Sequence, residues 1–110
     1  MEGKDIQLGG GIQLAGFAGI HSASMDIVRK MVGTFANKSG SHDRAYEGLK
    51  VTLKEVHKRE KSELYEVHAH LFAKGNKFNA ISTDRNLFVA LDDALKKVAH
   101  EAEHTLAKFK

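Results

Sequence analysis

The sequence predicts a single α+β domain in which two helices cover one face of a β-sheet. Three observations support this prediction: segments with alternating apolar residues, two segments with helical apolar spacing, and a length of 110 residues, the size of one domain. The predicted order of elements is β-α-β-β-β-α, with a four-stranded sheet. With both amphipathic helices on one face, the domain is a two-layer sandwich whose other sheet face meets water or a partner.

The first predicted strand lies in a stretch that contains the tripeptide Ile-Gln-Leu twice, at 6–8 and at 12–14. Three glycines at 9–11 separate the copies, and glycine is costly to order inside a strand. We therefore expect one strand at about 7–16, with Ile12 and Leu14 as its firm part. Residues 1–11 are then a partly ordered N-terminal extension, and residues 12–110 form the domain.

The first helix is indicated by apolar residues at helical spacing between Met25 and Phe35. Ser22 and Ser24 are both suitable residues to cap its N-terminus. The polar segment at 37–43 contains a glycine and two serines, so we expect it to end the helix.

Two central strands are indicated by alternation of apolar and polar residues. Leu49, Val51 and Leu53 share one face of the first of these strands, and lysines and a threonine share the other. In the second strand, Val67 and Leu71 point inward, and two histidines and a phenylalanine point outward. A charged tip at 57–62 joins the two strands.

A tight hairpin and a long helix complete the prediction. Gly75 and Asn76 accept the positive φ angles of a two-residue turn, and a turn at those residues pairs Leu71 with Ala80. We expect the last helix to begin at 82–84. Its apolar stripe consists of Leu87, Leu91, Ala94, Leu95, Val98, Ala102, Leu106 and Phe109.

The composition excludes several classes of protein. The absence of cysteine rules out disulfide scaffolds and zinc sites with thiolate ligands. No apolar run reaches the roughly 18 residues of a membrane helix, and the charged, glycine-rich start is unlike a signal peptide. We therefore expect a cytoplasmic protein with no membrane partner. The formal net charge of +3 permits an anionic partner such as RNA without requiring one.

Few motifs point to catalysis. The glycine-rich segment at 8–19 fits neither a phosphate loop nor a dinucleotide fingerprint, and no cysteine is present to act as a nucleophile. His100, Glu101 and His104 match the H-E-x-x-H spacing of zinc proteases. The motif has no evident third ligand, so we expect these residues on the helix surface, with no enzymatic activity, metal or cofactor. A metal-dependent hydrolase using these three residues is the least favoured alternative.

The positive residues form two groups that suit RNA phosphates. The first group is expected to flank a groove between the two helices, if the helices pack side by side. The second lies on the outer face of the sheet and its hairpin tip, where Phe72 beside His68 and His70 is placed to stack on a base. An ordinary solvated, mixed-charge surface is the alternative. The helix group is Arg29, Lys30, Lys96, Lys97, His100 and Lys108, and the sheet group is Lys50, Lys54, Lys58 and Arg59.

Several segments resemble one known family in the same order along the chain. IQLAG leads into a helix containing IVRKMV, the hairpin segments LKVTLKEVHK and YEVHAHLFAKGNKFNA follow, and STDRNLFVALDDALKKV passes from the last strand into the last helix. Together they resemble the ribosome hibernation-promoting factor family, also called the ribosome-associated inhibitor or sigma-54 modulation family. The resemblance covers residues 12–109.

The resemblance implies a translation silencer on the small ribosomal subunit. Such a protein binds rRNA near the decoding region and blocks the mRNA and tRNA positions during stress or stationary growth. The matching positions are Arg29, Lys30 and Lys97, with Lys96 a less close match. The two acidic residues one turn earlier in the last helix are expected to orient the two lysines of that helix. The C-terminal module that pairs ribosomes in long family members is missing, so we expect no ribosome dimerisation through it.

A general RNA-binding module is the main alternative. The predicted sandwich is similar to the double-stranded-RNA-binding domain, and such a module is expected to bind free duplex RNA as well as ribosomes. The segment at 100–110 also has fewer lysines and arginines than members of the hibernation family tend to have there.

Overall fold

The chain folds as the predicted α+β sandwich. The structure is a computed structural model that describes residues 6–8, 11–42, 46–54, 58–59 and 62–107. Its elements are β1 (Ile6–Leu8), β2 (Ile12–Ala15), α1 (Ser22–His42), β3 (Tyr46–Lys54), β4 (Lys58–Arg59), β5 (Ser62–Glu63), β6 (Tyr65–Ala73), β7 (Asn76–Asp84) and α2 (Leu87–Ala107). The main sheet has the strand order β1-β2-β3-β6-β7, and β4 pairs with β5 in a separate ladder at the hairpin tip. The four predicted strands are therefore joined by a fifth, β1.

The two Ile-Gln-Leu copies form an antiparallel pair, with Ile6 opposite Leu14. Gly11 has a φ of 77°, and its carbonyl accepts a 3.0 Å hydrogen bond from the Leu49 amide. The prediction of a single strand at about 7–16 is wrong, because Gly11 adopts a turn conformation that glycine accepts readily. The predicted N-terminal extension thus contributes an edge strand to the sheet.

Both helices begin at the same end of the sheet, at the C-terminal ends of β2 and β7. β2 is parallel to β3, and β3 and β7 are each antiparallel to β6, so β2, β3 and β7 point the same way. Since α1 follows β2 and α2 follows β7, both helices start where these strands end. A cavity of about 350 Å³ at this end is lined by both N-terminal turns, with Ser24 from α1 and Leu87 from α2. The helices therefore run in the same direction, side by side.

One hydrophobic core lies between the two helices and one face of the sheet. The alternate strand residues predicted to point inward, such as Val51 and Val67, are fully buried. The predicted stripe of α2 is also buried from Leu87 to Ala102, while the side chain of Leu106 and all of Phe109 lie outside the described part of the chain. The largest fully buried side chains are Leu14, Val28, Val32, Leu49, Val51, Val67, Leu91 and Val98. Because these come from both helices and three strands, both helices cover the same face.

The β6–β7 hairpin turns one residue earlier than predicted. Its turn residues are Lys74 and Gly75, with φ angles of 51° and 74°. Leu71 therefore lies opposite Phe78 rather than Ala80, so the predicted register is wrong by two residues. Because side chains alternate with a period of two, the same residues still point inward.

His21 and Asn86, rather than the predicted residues, cap the N-termini of the two helices. The Nδ1 atom of His21 accepts a 3.1 Å hydrogen bond from the second residue of α1. The Oδ1 atom of Asn86 accepts bonds of 2.8 and 3.2 Å from the second and third residues of α2. The predicted cap serines lie inside α1, residues 82–84 belong to β7, and α1 continues to His42 through the segment predicted to end it. Neither helix is apolar enough along its length to cross a membrane.

Gly16 follows β2 at a position where a side chain does not fit. Its φ is 82°, and an added Cβ would lie 2.2 Å from the carbonyl oxygen of Leu53. We expect Gly16→Ala to lower the free energy of unfolding by about 2 kcal/mol or more, because backbone strain and a backbone clash act together. Chemical denaturation measures this change.

Gly19→Ala is the matched control. An added Cβ at Gly19 meets no described atom within 4 Å, and the φ of Gly19 is not in the positive range. This variant should change the unfolding free energy by less than about 0.5 kcal/mol. Equal losses in the two variants would contradict the close approach of Gly16 to β3.

Candidate nucleic-acid interface

A groove of about 700 Å³ runs between α1 and α2. This interhelical groove is lined by α1 residues from Ile27 to Phe35 and α2 residues from Asp92 to Glu103. Lys30 on one side and Lys96 and His100 on the other are three of the predicted RNA-binding residues that the structure brings together. Asp92 and Glu103 line the same groove, so its two lysine charges are matched by two carboxylates.

Two acidic residues on α2 bind the two adjacent lysines one turn later. The Nζ atom of Lys96 is 2.9 Å from Asp92 Oδ2, and that of Lys97 is 3.1 Å from Asp93 Oδ2. The hydrogen bond to Asp92, followed by the charge of that carboxylate, raises the pKa of Lys96. Each lysine is therefore held along the helix, and its positive charge is offset by a neighbouring carboxylate.

Lys97 lies on the side of α2 away from the interhelical groove, next to the free edge of β7. Its Nζ donates a 3.4 Å hydrogen bond to the carbonyl of Ile81. The Asp93 carboxylate beside it accepts a 2.6 Å hydrogen bond from the hydroxyl of Ser82, which is buried in β7. These contacts join α2 to β7 and occupy part of an edge that is otherwise open to another strand.

Arg29 lies on the side of α1 that faces away from α2. Its Nη1 is 3.4 Å from Asp26 Oδ1, and it does not line the interhelical groove. Arg29 and Lys97 thus stand on opposite outer flanks of the helix pair, and the expectation that all the helix cations flank one groove is wrong. A helix turns by about 100° per residue, so Lys30 faces the groove while its neighbour Arg29 does not.

The open sheet face is the side of the main sheet away from the helices. The strand register aligns Lys50 with His70 and His70 with Asn79, while Phe72 aligns with Lys77. No described element covers this face, and Ile81 on it is 52% exposed. Its residues are Gln13, Ala15, Lys50, Thr52, Lys54, Glu66, His68, His70, Phe72, Lys77, Asn79, Ile81 and Thr83.

A row of rings runs along β6 on the open sheet face, formed by His68, His70 and Phe72. The two imidazoles stack with their centroids 6.5 Å apart. His70 Nδ1 is 2.6 Å from Asn79 Oδ1, and His68 Nε2 is 2.5 Å from Glu66 Oε2. These bonds fix the orientation of the two imidazole rings on the strand.

The charge balance favours the open sheet face over the interhelical groove for binding anions. Lys50, Lys54 and Lys77 lie on the open sheet face, and Glu66 is the carboxylate among its described residues. Glu47 borders the face at the β6–β7 turn, where its carboxylate accepts a 3.3 Å hydrogen bond from a turn amide. Positive charge therefore exceeds negative charge on this face, whereas the two signs cancel in the groove.

The sequence prediction finds part of this surface. Lys50 and Lys54 lie on it as expected, and Lys58–Arg59 forms β4 at the hairpin tip. Lys108 lies outside the described residues. The prediction omits Lys77, although its alternation with the inward Phe78 indicates an outward position.

The H-E-x-x-H residues lie on the surface of α2, and His100, Glu101 and His104 are all exposed, as expected. The rings of the two histidines stack with their centroids 6.4 Å apart. Among the described residues, no group of three or more His, Cys, Asp or Glu is arranged to hold a metal ion.

Comparison with known proteins assigns the chain to no family. No protein-family model matches it, and no curated protein matches it at a significant level. A function is therefore inferred from the surfaces described above and from the resemblance of the sequence segments.

Asp93 should make the stability of the fold depend on pH. The hydrogen bonds from Ser82 and then from Lys97 lower the pKa of the Asp93 carboxyl. A lowered pKa means that the carboxylate stabilises the fold above the pKa of the unfolded chain, about 4 for aspartate, and that this stabilisation is lost as the pH falls through the lower folded value. Thermal unfolding should show Asp93→Asn less stable than the wild type at neutral pH, with the difference closing below about pH 4.

Asp92→Asn is the control for this measurement. This variant breaks the ion pair with Lys96. The side chains of Asp92 and Lys96 are 51% and 76% exposed and make no bond to the sheet, so the melting temperature should change less than in Asp93→Asn. A stability difference for Asp93→Asn that persists unchanged into acid would contradict the assignment.

Proposed function

We propose that the protein binds the rRNA of the small ribosomal subunit near the decoding region and silences translation by occupying the mRNA and tRNA positions. The mechanism is binding and steric exclusion, without catalysis, cofactor or metal. The observation that supports it best is the open sheet face, where three lysines surround a row of two histidines and a phenylalanine. The choice of the ribosome as target rests on the resemblance to hibernation-promoting factors.

The lysines of the open sheet face are spread over an area that suits a nucleic-acid backbone. Lys50 and Lys54 are four residues apart in β3, a separation of about 13 Å. Lys77 lies two strands away, at about 10 Å across the sheet. Phosphates bound at these points would release counterions, which makes the affinity depend strongly on salt.

The row of rings on β6 supplies the second type of contact that RNA-binding surfaces use. An unpaired base stacks on aromatic side chains, and this contact tolerates every base because each has a π face. Phe72 and His70 lie next to Lys77 and Lys50 in the register. A base on the rings therefore brings its phosphates within reach of lysines on both neighbouring strands.

The helix side adds a second, weaker set of cations. Arg29 on its outer flank and Lys30 in the interhelical groove lie on the layer opposite the open sheet face. A molecule of 50 × 24 × 20 Å with cations on both sides is suited to a position between two rRNA surfaces. Such a position would fill space needed by mRNA and tRNA.

A general RNA-binding module is the second candidate, and the ring row favours it equally because stacking does not identify the source of the RNA. The two candidates differ in target. A gel-shift assay with free RNA alongside binding to small subunits separates them: the ribosomal proposal expects the subunits to be bound far more tightly.

Replacing Lys50 and Lys77 by glutamine should weaken binding to small subunits and flatten its salt dependence. Each lost phosphate contact removes about one from the slope of log affinity against log salt, so the double variant should lose about two. Co-sedimentation with purified small subunits across a salt series measures both quantities.

The matched control replaces Arg29 and Lys96 by glutamine, which gives the same change in net charge on the helix layer without breaking the contacts between α2 and β7. We expect this variant to retain more affinity than the sheet variant. A larger loss in the helix variant would show that the open sheet face is not the main contact surface. Absence of wild-type binding at low salt would contradict the ribosomal proposal itself.

Phe72→Leu should weaken RNA binding while it keeps an apolar side chain of similar bulk. Loss of one stacked base costs about 1–3 kcal/mol, or about fivefold to more than a hundredfold in affinity. Because no charge is removed, the salt slope should stay unchanged. Val89→Ala, at a residue on α2 that is 50% exposed, is the control and should bind like the wild type. Equal binding by Phe72→Leu would exclude stacking on this ring.

A further inference from the structure

The floor of the interhelical groove is apolar. Met31 and Phe35 on α1 face Leu95 and Ala99 on α2, and Ile27 at one end is 46% exposed. Phosphates gain nothing from such a floor, so RNA binding leaves it unexplained. Its volume of about 700 Å³ lies within the range of small-molecule sites, about 300–1,000 Å³, which also combine apolar walls with a few polar groups.

The charged groups lie at defined points along the groove. The two helices start at the same end of the sheet and rise by about 1.5 Å per residue, so Lys30 and Lys96 are at similar heights, about 12–14 Å from their helix starts. Asp92 lies about one turn nearer the start and Glu103 about two turns further along. The carboxylates therefore mark the two ends of the groove, and the lysines mark its middle.

We propose that the interhelical groove binds a small amphiphilic carboxylate, with its alkyl or aryl group on the apolar floor and its carboxylate on Lys30. Lys96 is already paired with Asp92, whereas the ion pairs of the described residues include neither Lys30 at the middle of the groove nor Glu103 at its end. Thr34, one turn after Lys30 on the same rim, adds a hydroxyl donor. Repulsion by Asp92 and Glu103 keeps the carboxylate of the ligand away from both ends.

This site is separate from the open sheet face, which is the main surface assigned to RNA, although its Lys30 also belongs to the weaker helix-side set of cations. The groove lies on the helix layer, and the open sheet face lies on the other side of the core. Ligand binding is therefore expected whether or not the protein binds ribosomes, and each proposal fails or holds by its own experiment.

Titration of the isotope-labelled protein with octanoate, followed by amide chemical shifts, tests the proposal. Octanoate should give saturable shifts concentrated in α1 and α2 around the groove. Octan-1-ol, which has the same chain and no charge, should bind at the same place about fivefold more weakly. Octyltrimethylammonium, with the opposite charge, should bind more weakly than either.

Variants separate the contribution of the charge from that of the floor. Lys30→Met should weaken octanoate about fivefold and leave octan-1-ol unchanged. Arg29→Met makes the same chemical change on the far flank of α1 and should alter neither. Ala99→Trp should remove binding of both ligands by filling the groove, and Ile27→Ser, at a half-exposed position that tolerates a polar residue, should weaken both. The spectrum of each unliganded variant shows whether it is folded.

Three results would overturn the proposal: no saturable shift with octanoate, shifts located on the open sheet face, or equal affinity for octanoate and octyltrimethylammonium. An unchanged octanoate affinity in folded Lys30→Met would also overturn it, because the carboxylate would then be bound elsewhere.

Discussion

Burial on one face of the sheet is the constraint on which the rest of this molecule depends. Apolar residues such as Leu49 and Val67 must be shielded from water. The apolar surfaces of α1 and α2 together cover the face that carries these residues and no other face. The connections from β2 and β7 deliver both helices to the same side. The other face of the sheet is consequently left without a helix, and its outward residues, among them Phe72, become available to a partner.

The distribution of net charge over the surface depends on the ion pairs that hold α2 in place. On α2, Asp92 and Asp93 precede Lys96 and Lys97 by one turn and pair with them, and Ser82 extends the second pair into a link with β7. Pairs that orient lysines in this way also cancel much of their field. Lys50, Lys54 and Lys77 on the open sheet face are not held in such pairs with any described residue and outnumber the carboxylate of Glu66 there, so that face has a net positive charge.

The sequence reveals burial more readily than it reveals register or direction. Alternation and helical spacing report which residues face the core, so Val51 and Leu91 are predictable without coordinates. The register of the β6–β7 hairpin is not predictable in this way. A turn at Lys74 and Gly75 buries the same side chains as a turn one residue later, so burial does not distinguish the two. The groove is equally hidden: the sequence marks Lys30 and its neighbour as cations, but only the packing of α1 against α2 shows which of them faces the groove.

A cryo-electron microscopy structure of the protein on the small ribosomal subunit is the sharpest test of the proposed function. We expect the molecule to lie over the mRNA and tRNA positions near the decoding region, with Lys50 and Phe72 against rRNA. A complex in which the β-sheet faces solvent and the helices alone touch rRNA would contradict it, as would a binding position that leaves the path of mRNA clear.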